Sequence, residues 1–188
     1  MSALVVVLRI VPLLAFAGSM LLSLSGHREG AKARPRQSGS DRAPLVANFA
    51  AFGLYVPSLL VFSGSSAALL LASSGALLGL AGAAVVVRAR AELGQAWSFV
   101  PRADQGTGLV TTGPYRRVRH PIYLGLLLFA MGEALAFGSG PGFLVVLSGI
   151  VPTLVWRAVA EDRLLGRTFG ERYEAYRRRT AMIIPHLL

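Results

Sequence analysis

Sorted into apolar and polar positions, the chain falls into five apolar runs. They cover about Ala3–Leu24, Leu45–Phe62, Ala67–Val87, Ile122–Phe137 and Phe143–Val159. Arg9 breaks the first run and Arg157 interrupts the fifth. A membrane-spanning helix needs about 20 apolar residues, with a range of about 17–25. The pattern therefore predicts an all-α, polytopic integral membrane protein with about five transmembrane helices. The fourth and fifth runs are short, so their ends are expected to lie inside protein. The first run lacks a charged start and is too long for a signal-peptide core, which predicts a retained helix. Past the fifth run, "VWRAVAEDRLLGRTFGERYEAYRRR" predicts a cytoplasmic C-terminal amphipathic helix.

The polar connections carry a second pattern. Eighteen of the 19 Lys and Arg residues fall in the connection Ser25–Pro44, the connection Arg88–Pro121, and the tail from Arg157. The turns "SGSS" (Ser63–Ser66) and "GSGPG" (Gly138–Gly142) carry none, and Arg9 is the exception. Cytoplasmic loops collect Lys and Arg, so the N-terminus is expected outside and the C-terminus in the cytoplasm of a multi-pass cell-membrane protein. The two tight Gly/Ser turns predict helical hairpins of runs two–three and four–five. Residues 1–92 form an N-terminal region of three helices, and 93–188 a second region with the last two helices and the tail.

Composition narrows the chemistry. The chain is 54% hydrophobic and 15% charged, with a formal net charge of +10 and a mean hydropathy of +0.58. Soluble domains are typically about 25% charged. The arginines sit between apolar runs, not on a soluble basic face, which argues against a nucleic-acid partner. There is no cysteine, so thiolate chemistry is excluded, and the three histidines show no metal-ligand spacing.

The chemistry concentrates at "GPYRRVRHPIYLG", Gly113–Gly125. His120-Pro121 suits a helix start. The free N–H groups of a first helical turn attract an anion, and Arg116, Arg117 and Arg119 reinforce this. The residues alone also fit a basic flank with an interfacial tyrosine. Glu161 and Asp162 concentrate negative charge where run five should leave the membrane, on the same side as the basic turn. A ligand carrying a carboxylate and a positive centre fits between them. The other reading is that these acids pair with Arg157, Arg163 or Arg119.

The pairing of "LVTTGPYRRVRHPIYLG" with "EDRLLGRTFGERYEAYRRRTAMIIP" resembles the isoprenylcysteine carboxyl methyltransferase family, integral-membrane enzymes related to phospholipid methyltransferases. The likeness rests on Arg119-His120-Pro121-Ile122-Tyr123-Leu124-Gly125, Glu161-Asp162, Phe169-Gly170, Tyr173, Tyr176 and Pro185, in that order. The family usually has Glu-Glu where this chain has Glu161-Asp162. The resemblance implies S-adenosylmethionine as cofactor, capped by the tail, and a lipophilic or small acceptor reached from the bilayer. It implies that His120, Tyr123 and Gly125 form the cofactor site, with Glu161 and Asp162 on its amino or ribose groups. Gly113, Tyr115 and Arg116 would line the approach, and Tyr173 and Tyr176 either close it or pack the tail. Arg119 and Glu161 are the catalytic candidates, Arg119 to orient a carboxylate acceptor, with Glu161 or His120 as a base for an amine or thiol.

Three further readings stay open at this level. Glu133, inside run four, is either a functional intramembrane acid or a side chain reaching the outer interface. Trp97 either stacks on adenine or anchors at the interface. The Gly/Ala/Ser-rich third run packs tightly on another helix, within the protomer or between protomers. The rival functions are a steroid-reductase-like membrane enzyme using a nicotinamide cofactor and a non-enzymatic membrane scaffold.

Overall fold

The computed structural model describes residues 3–25, 43–61, 69–94 and 108–185. All regular structure among them is helical. The helices are α1 (Ala3–Ser25), α2 (Ala43–Val61), α3 (Leu69–Leu93), α4 (Pro121–Phe137), α5 (Gly140–Phe169) and α6 (Glu171–Arg177). A 3₁₀ turn, Gly113–Arg116, precedes α4.

Two of these helices, α3 and α5, are long and apolar enough to cross a membrane. The described apolar parts of α1, α2 and α4 are shorter. The 17 residues of α4 rise about 25 Å, less than the roughly 30 Å of bilayer hydrocarbon. As expected for a helix that is apolar on every side, α4 is buried along its length, from Pro121 to Ala136.

The fifth apolar run is not short. It belongs to a helix of 30 residues, which passes through a π-helical turn at Val146–Ile150 and continues beyond Arg157, Glu161 and Asp162. Counting apolar residues ends the helix too early because these charged side chains are satisfied by partners in the fold. Gly170, at φ +54, stops the helix. Glu171 and Glu174 open α6 and Arg177 closes it, each complementing the helix dipole.

α3 and α4 form the tightest pair. Gly75, Gly79 and Gly82 of α3 face Gly125 and Gly132 of α4. A Cβ at Gly82 would lie 2.6 Å from the Gly125 carbonyl oxygen, and one at Gly132 would lie 2.7 Å from that of Gly75. Small residues let backbones approach where helices gain little from hydrophobic burial. The glycine-rich third run thus packs within the protomer.

α1 packs on α3, and α2 packs on α5. The runs two and three flanking the Ser63–Ser66 turn therefore do not form a closely packed pair; that turn lies outside the described residues. The connection between α4 and α5 is as tight as the sequence suggests. Gly138 caps α4 at φ +63, and the Ser139 hydroxyl accepts from Gly142 N at 3.0 Å. The core joins Tyr55 and Leu59 of α2, Tyr123, Ala130 and Ala134 of α4, Ile150, Leu154 and Ala158 of α5, and Ile183 of the tail.

Arg9 is explained by α4. Its Nε donates to the Ala136 carbonyl at 2.9 Å, and its guanidinium lies 5.1 Å from the Phe137 ring centre. A buried cation thus meets carbonyls left open at a helix C-terminus. Glu133 does not reach the interface. It is fully buried beside Gly79 of α3, where an added Cβ would lie 3.0 Å from its Oε1.

Candidate active site

The turn before α4 is held by the tail. Arg119 N donates to Ala181 O at 2.8 Å, His120 N to Met182 O at 3.0 Å, and Ala181 N to Arg117 O at 3.1 Å. This short parallel pairing fixes the backbone that presents Arg119 and His120. Pro121 then starts the helix, and the His120 carbonyl accepts from Tyr123 N and Leu124 N.

Asp162 sits at the centre of the cluster. Arg119 Nε and Nη2 both lie 3.2 Å from its Oδ2. His120 Nε2 lies 2.7 Å from its Oδ1, which also accepts from the Tyr173 hydroxyl. The remaining Arg119 nitrogen donates to the carbonyls of Arg177 and Thr180. Arg119 therefore ties α5 to the tail. The Asp side chain is shorter than the family's usual Glu, yet it gathers three donor residues from two separate segments.

Glu161 is held more loosely. Its Oε1 accepts from the Tyr123 hydroxyl, and its Oε2 lies 3.4 Å from His120 Nδ1. Arg157 Nη2 is 3.8 Å from Oε1, with the guanidinium 5.1 Å from the Tyr123 ring centre. The His120 and Tyr123 rings stack at 5.4 Å. Both His120 ring nitrogens thus face carboxylates, and only the imidazolium donates to both. Burial works against that charge, but the bonds to Asp162 and Glu161 outweigh it and raise the His120 pKa above its ordinary value. Tyr173 and Tyr176 are shifted upward, first by burial, with the neighbouring Asp162 charge adding to the rise in each case.

A second layer joins the 3₁₀ turn to α6. The Tyr176 hydroxyl donates to Tyr115 O at 2.7 Å, and the rings of Tyr173 and Tyr176 meet edge to face. Tyr115 is buried. The structure thus brings Arg119, His120, Tyr123, Glu161, Asp162 and Tyr173 into direct contact, with Tyr115 and Tyr176 one step away. The other three candidates lie elsewhere. Arg116 is exposed on the turn. Gly113, at φ +56, abuts Glu92, whose Cδ would be 2.8 Å from an added Cβ. Gly125 faces Val86 and the Gly82 carbonyl of α3. Trp97 lies outside the described residues. The sequence offers Arg157 only as a pairing partner of the acids; the structure places it beside Glu161 and over Tyr123. The signal for it is an arginine interrupting an apolar run four residues before Glu161.

Residues 70–172, just over half of the chain, match the phospholipid methyltransferase family. The chain belongs to that family. The matched segment carries α3, α4 and α5, including His120, Glu161 and Asp162. Among curated proteins, the chain is 30% identical over 99 residues to the Protein-S-isoprenylcysteine O-methyltransferase of Schizosaccharomyces pombe, covering 52% of this chain and 42% of that protein. It is 35% identical over 105 residues to the nickel-cobalt-cadmium resistance protein NccN of Alcaligenes xylosoxydans xylosoxydans, covering 52% of this chain and 46% of that protein. The chain spans less than half the length of these relatives. Family membership supports the methyltransferase resemblance seen in the sequence.

Proposed function

We propose that this chain is a multi-pass cell-membrane methyltransferase that moves a methyl group from S-adenosylmethionine to a lipophilic or small acceptor at the cytoplasmic face. The observation that carries this reading is the contact of His120 with both Glu161 and Asp162, in a chain of this family. Five membrane passes, with the N-terminus outside, follow from the alternating basic connections.

The residues fit the cofactor. Its ammonium and ribose hydroxyls need acceptors, which Glu161 and Asp162 supply. Its carboxylate needs a cationic partner, which Arg157 supplies. When bound, the cofactor supplies an activated methyl group, so the protein's part is position and a dry site. Glu161 is the acid facing the ligand, because its protein contacts are longer and fewer than those of Asp162. Asp162 holds His120 and Arg119 in place. Arg119 acts by keeping the tail closed over the cluster. A carboxylate acceptor, as the yeast relative's name suggests, needs no general base. An amine or thiol would pass its proton to Glu161.

The test is calorimetric binding of S-adenosylhomocysteine to the detergent-purified chain, with Glu161→Gln and His120→Ala alongside. Saturable micromolar binding weakened by both changes is the expected result. Folded wild-type protein that binds none overturns the reading.

A further inference from the structure

We infer that Asn48, in a helix outside the family-matched segment, is a positioning residue of this site and holds Arg157 away from Glu161. The inference rests on the reading that the S-adenosyl group binds at the His120–Glu161–Asp162 cluster.

On α5, Thr153, Arg157 and Glu161 recur every four residues, which puts them on one face of the helix. α2 packs along α5 and brings a single carboxamide to that face. Asn48 is 5% exposed. Its Nδ2 donates to Thr153 Oγ1 at 3.1 Å, and its Oδ1 accepts from Arg157 Nη1 at 3.5 Å. Thr153 decides which way the amide points. Its hydroxyl lies 3.0 Å from both the Gly149 and Ile150 carbonyls, so its proton goes to the helix backbone. A lone pair remains for the Asn48 NH₂ group. The carboxamide oxygen is then turned to Arg157.

An Asn–Thr bond alone is ordinary glue between membrane helices. The Arg157 contact links it to the cluster. Arg157 lies over the Tyr123 ring and 3.8 Å from Glu161 Oε1, the oxygen to which Tyr123 donates. That separation is longer than a close ion pair. It leaves Glu161 charge to offer a cationic ligand group. Without the Asn48 oxygen, the guanidinium closes on Glu161 and competes with the ligand. α2 thereby sets the affinity of a site assembled on α4 and α5.

The experiment is S-adenosylhomocysteine calorimetry on the full chain in detergent, with thermal midpoints measured for each variant. Asn48→Leu keeps the branched shape and removes the acceptor; it should weaken binding roughly fivefold, the scale of one net hydrogen bond. Asn48→Asp keeps the acceptor and should bind within about twofold of wild type on that scale. Ser58→Ala removes another buried polar group of α2, one bonded to Tyr55 O of its own helix, and should leave binding unchanged. Wild-type affinity in the Leu variant, or equal losses in the Leu and Asp variants, overturns the inference. A wild-type chain that binds no ligand removes the functional reading and the inference with it. The Leu–Asp comparison overturns the inference alone.

Discussion

The two adjacent acids should fail in different ways, and the structure says how different. Asp162 faces Arg119 through two nitrogens at 3.2 Å, His120 at 2.7 Å and the Tyr173 hydroxyl. The side chains of Asp162, Arg119 and His120 are 12%, 9% and 5% exposed. Asp162→Asn therefore strands two largely buried cations. Removing one partner of a buried pair costs about 3–5 kcal/mol, and the cluster's residual exposure favours the low end. For a chain of this size each kcal/mol moves the thermal midpoint by about 2–4 °C, so the expected drop is about 6–12 °C. Glu161→Gln is different. A glutamine still accepts from Tyr123, and the change weakens only the long approaches of His120 at 3.4 Å and Arg157 at 3.8 Å. Its cost should stay at or below about 1 kcal/mol. The assay is thermal unfolding in one detergent at one scan rate, since irreversible unfolding makes the midpoint depend on scan rate, paired with S-adenosylhomocysteine calorimetry. Asp162→Asn should lose both stability and binding, and Glu161→Gln mainly binding. Equal drops in midpoint, or an Asp162→Asn protein as stable as wild type, would refute the division of labour.

Two other expectations concern the histidine and the helix pair beneath it. His120 has its pKa raised in the folded protein, so its stabilising contribution is complete below the ordinary value of about 6.5 and is lost as pH rises through the folded value. Thermal midpoints recorded upward from about pH 6 should fall in wild type and stay flatter in His120→Gln; a flat wild-type profile would contradict it. Gly82→Ala would place a Cβ 2.5 Å from Phe129 N and 2.6 Å from Gly125 O. Backbone cannot move aside like a side-chain tip, so about 1–3 kcal/mol of overpacking is expected, read as a lower midpoint. An unchanged midpoint would show that α3 and α4 are less tightly seated.

Much of this is legible in the chain because helix formation and motif spacing are local. The five apolar runs each become a helix or part of one. Arg119, His120, Tyr123, Glu161, Asp162 and Tyr173, drawn from three separated segments, meet in one cluster. What stays hidden depends on partners far away in sequence. Nothing local shows that α2 leaves α3 to pack on α5, so neither Asn48 nor its hold on Arg157 is readable. The same holds for Glu133, which lies one turn from a loop yet is fully buried beside Gly79 of α3. Hydropathy misjudges the length of α5 because it counts Arg157, Glu161 and Asp162 as costs, while the fold pairs them. Gly125 stands inside the motif, but whether a glycine faces a ligand or another helix is set by what lies opposite.

The clamp between the basic turn and the tail has a consequence for how the protein is made. Arg119 is translated 61 residues before Thr180, whose carbonyl it binds, and 43 residues before Asp162. At about 5–20 residues per second the turn waits roughly 3–12 s for its last partner. On the proposed topology, α4 and α5 both enter the bilayer in that interval, because Asp162 lies beyond the apolar part of α5. A partly made chain therefore has its arginines in place but neither Asp162 nor Thr180 to hold them. On the proposed function, ligand binding reports that this cluster has closed.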